Sequence, residues 1–74
     1  MTVGERLKKL RGKKSRREVA KAIGISTSAI TMYELDKRIP RDEIKSKIAN
    51  YYKKSVATIF YNQNSHNTWL NKLL

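Results

Sequence analysis

The sequence predicts an all-α fold, a compact helical bundle in one small domain, and three observations carry the prediction. Two capping boxes, Thr2 to Glu5 and Ser15 to Glu18, each precede apolar residues at helical spacing. Gly12, Gly24 and Pro40 fall between the periodic stretches, where helices stop or start. The chain has 74 residues and no cysteine, so the bundle must hold through its core, with no disulfide and no thiolate metal site.

The first helix should begin near Val3, with Val3, Leu7 and Leu10 as its inner stripe and Glu5, Arg6, Lys8 and Lys9 outside or at the edges. Gly12 closes it, and Lys13-Lys14 leaves a very short link. The second helix should run from about Arg16 to Ile23, capped by Ser15 and turning Val19, Ala20 and Ile23 inward. Gly24 can take the positive φ that ends such a helix. Ile25 follows as a buried plug. Ser26 caps the third helix, which carries Ile30 and Tyr33 inward, and the small Ala20 lets that helix cross closely over the second.

A loop, Leu35 to Pro40, comes next. Asp36 tolerates the left-handed conformation a turn needs, and Ile39 is expected to tuck inward. Pro40 suits a helix entry, where its missing N–H costs nothing. The fourth helix should span about Arg41 to Lys53, with Asp42 and Glu43 at its positive end and Lys53 at its negative end. Ile44, Ile48 and one of Tyr51 or Tyr52 face the core; Lys45, Lys47 and Lys54 are read as outside. Ser55 caps a short fifth helix that packs Val56, Ile59 and Phe60. The domain boundary is read at 1–61. Residues 62–74 form a tail, a polar link followed by Trp69, Leu70, Leu73 and Leu74 on one face of a short extra helix.

The formal net charge is +11, unevenly placed. Residues 1–17 hold eight Lys and Arg against one acid, Glu5, whereas residues 55–74 hold Lys72 and no acid. Such a surface attracts polyanions, whether DNA, RNA or anionic lipid. No apolar run approaches the roughly 20 residues that span a bilayer. The N-terminus carries charges where a signal peptide has its apolar stretch, so a soluble, cytoplasmic protein is expected. One histidine (His66, read as merely exposed), no cysteine and six acids mostly at caps and helix ends make no metal cluster, triad or carboxylate pair. Neither an enzyme nor a cofactor is expected. The basic residues do not back one long apolar face, which argues against a membrane-surface peptide.

Ser15 to Glu34 is therefore the informative stretch. Thr27, Ser28, Thr31 and Met32 lie on the outer face of the third helix and none is charged. An uncharged polar face in a very basic protein suits a groove lined by base edges. Two helices joined by a tight turn, the second a reader, is the helix-turn-helix arrangement.

At these residues the chain resembles the lambda-repressor-like, or Xre-type, helix-turn-helix family. The matching stretches are GERLKKLR, SRREVAKAIGIS, SAITMYE, KRIP, IANYY and SVATIF, covering residues 4 to about 60. The resemblance implies a five-helix DNA-binding domain, a repressor or activator of bacteria, their phages or mobile elements. It also implies a base contact for Arg16 and a structural ion pair of Arg11 with Glu34. Two departures stand out: the link at Gly12-Lys13-Lys14 is about two residues short, and Asp36 stands where members usually carry Gly.

Double-stranded DNA is accordingly the expected partner. Thr27, Ser28, Thr31 and Met32 would read bases, since hydroxyls donate or accept and a methyl meets a thymine methyl. Ser15, Arg17 and Ser26 at the helix N-termini, with Lys37, Arg38 and Arg41 beyond the third helix, would hold phosphates. Lys8, Lys9, Lys45 and Lys47 read as a solvated face, and Tyr51 and Tyr52 as core and rim. The rival reading is a small interaction module, an anti-repressor or co-repressor that binds another regulator. The tail is its focus: Trp69, Leu70, Leu73 and Leu74 can fold back on the core, form a homodimer interface suited to two-fold DNA sites, or dock another repressor.

Overall fold

Capping sets where each helix begins. In the computed structural model, which describes residues 1–61, Thr2 Oγ1 accepts the Glu5 N–H at 3.1 Å while the Glu5 carboxylate accepts the Thr2 N–H at 2.9 Å. That closed box starts α1 (Val3–Arg11), which Gly12 ends at φ 58°. Ser15 starts α2 (Arg16–Ile23) by accepting the Glu18 N–H at 3.0 Å. Only this half of the expected second box forms. Gly24 ends α2 in the left-handed conformation at φ 90°, where added side chains are strained. Ser26 accepts the Ala29 N–H and starts α3 (Thr27–Glu34). Asp36 takes φ 60°, and the Lys37 N–H bonds the Met32 carbonyl at 2.9 Å, closing the end of α3. Arg41 opens α4 (Asp42–Tyr52) without a side-chain cap, and left-handed Lys53 ends it. A π-helical turn, Ala57–Tyr61, follows as the fifth helix, with Ser55 Oγ accepting the Thr58 N–H. Among the described residues the architecture is all-α, as the sequence predicts.

The inward stripes meet in one core of Leu7, Val19, Ala20, Ile23, Ile30, Tyr33, Ile44, Ile48, Ala49, Ile59 and Phe60. Val19, Ile48 and Ile59 are essentially sealed from solvent, each burial contributing about 1.5–3 kcal/mol before entropic costs. Arg6 ties α1 to the last turn by donating to the Ile59 carbonyl. Helix α1 crosses the end of α3 so closely that a Cβ at Gly4 would collide with the Glu34 carbonyl. The Asp36 carboxylate then accepts the Gly4 N–H at 2.8 Å and the Thr2 hydroxyl at 2.6 Å. An aspartate in place of the usual glycine thus makes the turn and also caps a helix distant in sequence.

Three expectations about burial need correcting. Ile25 is half-buried, not a plug. Ile39 does not tuck inward but is 80% exposed. Its neighbour Pro40 is buried instead. Lys45 is not on a solvated face but is 8% exposed, its ammonium lying over the Phe60 and Tyr61 rings of the π turn. The tail residues Trp69, Leu70, Leu73 and Leu74, and His66, lie outside the described residues.

Candidate nucleic-acid interface

The serine caps decide what the two helix ends offer. Ser26 Oγ takes the Ala29 N–H at 3.0 Å, and helix geometry leaves the Thr27 and Ser28 N–H groups directed out of the end of α3. Ser15 does the same at α2, where the exposed Arg17 and half-buried Arg16 stand in the first turn. On α3, Thr27 and Ser28 are exposed, and Thr31 and Met32 half-buried. Thr31 spends its hydroxyl proton on the Thr27 carbonyl at 3.1 Å, so toward a ligand it acts as an acceptor and a methyl. Thr27 and Ser28 keep hydroxyls that donate or accept.

Past α3, Lys37, Arg38 and Arg41 are exposed. A shallow groove lined by Ile25, Ser26, Arg38, Ile39, Arg41 and Ile44 brings the α3 N-terminus beside two of these cations. Arg41 faces Glu43 only at 3.8 Å on an open surface, a pairing too weak to withhold it from a stronger anion.

At the other end of α3 lies a buried carboxylate. Glu34 accepts from Arg11 Nε at 2.8 Å, from Arg11 Nη2 at 3.1 Å and from Arg16 Nε at 3.0 Å. Burial pushes its carboxyl up, but the hydrogen bonds and charges of Arg11 and Arg16 outweigh that and hold it below the ordinary range. Arg11 is shifted up in turn, first by its hydrogen bond to Glu34. The pairing fixes the end of α3 against α1 and the start of α2. Arg16 thus has a structural partner through one of its five donors, which the sequence did not indicate.

A helix-turn-helix family model matches residues 6–59, from α1 into the π turn. The chain belongs to the Xre-type, lambda-repressor-like helix-turn-helix family. Members of this kind are DNA-binding transcription regulators. No curated protein and no solved structure is significantly similar to the chain. In this Xre-type domain the match spans the Glu34 cluster and the outer face of α3 alike.

Two features escaped the sequence. The Asp36 cap on α1 pairs groups more than thirty residues apart and leaves no local pattern. Lys45 sits at a helix position that periodicity assigns to solvent, and donates to the Tyr61 hydroxyl at 2.6 Å. Among the described residues, no three His, Asp or Glu side chains converge as a metal site would need. No helix there is long and apolar enough to cross a membrane.

Proposed function

We propose that the protein is a sequence-specific repressor that places α3 in the major groove of operator DNA, working in the cytoplasm of a bacterial cell. The observation that carries the reading is the arrangement of charge around α3. Its outer face is uncharged, while Arg17 at the α2 end and Lys37, Arg38 and Arg41 beyond α3 flank it with exposed cations. Phosphate contacts from those cations, from Ser15 and from the open N–H groups at Ser26 supply affinity. Thr27, Ser28, Thr31 and Met32 supply discrimination, joined by the remaining donors of Arg16. Bound near a promoter, a domain this size blocks polymerase by occupancy. Residues 1–61 are the DNA-binding unit in this reading and 62–74 an accessory tail.

The test is a gel shift against the DNA upstream of the protein's own gene, competed with random DNA. Thr27→Ala and Met32→Ala should each weaken operator binding by about 1–3 kcal/mol and leave non-specific binding unchanged. Arg38→Ala should weaken both and lower the salt slope by about one unit. Operator affinity unmoved by all three would place the reading helix elsewhere.

A further inference from the structure

Beside the groove at the α3 N-terminus, with which it shares Tyr33, Arg38 and Ile39, the described surface has a second concavity of about 270 Å³, lined also by Val3, Pro40, Phe60 and Tyr61. Asp36 and Lys45 complete its wall. It is the product of the two misplaced residues. Ile39 turned outward gives it an apolar lip, and Lys45 turned inward lies against the Phe60 and Tyr61 rings at 5.7 and 4.7 Å from their centroids. An exposed isoleucine opposite a half-exposed tyrosine is an unfavourable surface to leave to water.

We propose that this groove is the seat of the chain's own residues 69–74, with the Trp69 indole as the anchor. Three observations favour this occupant. Tyr61 is both a wall of the groove and the last described residue, so the tail departs from the groove itself. The link of seven residues, 62–68, reaches at most about 25 Å when extended, ample for a return to the same face. Charge separates the tail from a second copy. The chain as a whole carries +11, so two copies repel, whereas residues 62–74 hold one cation, Lys72. The groove also suits an indole, because its apolar walls carry cations able to face an aromatic ring. Seated there, the tail braces the Lys37–Arg41 loop.

Trp69 is the chain's single tryptophan, so its fluorescence reads the tail directly. In the full-length protein at low concentration, Trp69 emission should be blue-shifted and resistant to acrylamide, unchanged by dilution. Ile39→Lys, at an exposed position that leaves the core untouched, should shift the emission to the red and raise quenching severalfold at unchanged helicity. Leu73→Asp should do the same from the tail side. Solvent-like emission in the wild type, or emission indifferent to Ile39→Lys, would overturn the proposal. Burial that disappears on dilution, in step with dissociation of a dimer, would overturn it too and give the groove to a second copy. None of these readings needs DNA, so the proposal can fail while the repressor reading stands.

Discussion

Glu34 and Lys45 are both charged and both withdrawn from water, but the fold satisfies them by different means. Glu34, its side chain 2% exposed, receives three charge-assisted hydrogen bonds from two guanidiniums at 2.8 to 3.1 Å. Lys45 has no carboxylate so near. Its partners are the Tyr61 hydroxyl, two ring faces and Asp42 at 3.8 Å, the last 97% exposed and worth little. A rigid carboxylate with two oxygens rewards planar, forked donors. A flexible ammonium on a long stem can instead cover apolar surface and reach the edge of the domain. The first charge therefore fixes the geometry of three helices. The second mainly packs.

The contrast is broken or kept most sharply at Glu34. Glu34→Ala removes the one acceptor that Arg11 and Arg16 share among the described residues and should cost about 3 kcal/mol, the low end for a broken buried pair. The low end applies because the Arg11 and Arg16 side chains keep 16% and 33% exposure and can turn to water. For a domain this small, that lowers the thermal midpoint by roughly 12 °C or more. Urea and thermal unfolding check it; a loss under about 1 kcal/mol would mean the cluster merely decorates the fold.

Acid titration sharpens the same side. The folded Glu34 carboxyl is held below its ordinary value near 4.5. Its contribution is thus present above that value and lost as pH falls through the folded one. The stability gap between wild type and Glu34→Gln should stay level from neutral pH down to that range and then close. A gap unchanged in strong acid would show that Glu34 is not the group being titrated.

A smaller effect is expected on the other side. Lys45→Met keeps an unbranched apolar side chain beside Phe60 and Tyr61 and removes the ammonium. It should leave stability within about 1 kcal/mol of the wild type, since replacing a buried charge by an apolar isostere is often neutral or favourable. A cost matching that of Glu34→Ala would erase the distinction and make the Lys45–Tyr61 hydrogen bond the fastening of the last turn.

The same contrast explains what was legible in the sequence. Helix starts could be read because capping is local: Thr2, Ser15 and Ser26 each act on a residue three places on. Core stripes such as Val19-Ala20-Ile23 could be read because a period of 3.6 needs only one helix. Whatever depends on two segments meeting was harder. Periodicity sends Lys45 outward until the π turn packs on that flank, and apolar character alone sends the loop residue Ile39 inward, where Pro40 is buried instead. Asp36 reads as a turn residue until α1 brings the Gly4 N–H to it. The Arg11 and Glu34 pairing came from family resemblance and not from any spacing, and resemblance gave no sign that Arg16 shares the same carboxylate.

The finest effect probes the Glu34 field from a neighbour. Tyr52 and Glu34 border the same void of about 10 Å³, the lower limit for a single water, so little solvent screens one from the other. Burial first, then the negative charge of Glu34, pushes the Tyr52 hydroxyl up to about 12. A raised phenol value means that stability is intact below the ordinary value near 10 and is lost as pH rises through about 12. Followed by tyrosinate absorbance, a tyrosine ionisation near 12 should appear, and Tyr52→Phe should remove that step. In Glu34→Gln the step should move down without reaching the ordinary value, because the charge is gone and the burial remains. A step that stays in place would assign the shift to burial alone, and the arginines would then neutralise Glu34 so fully that its charge is felt only by them.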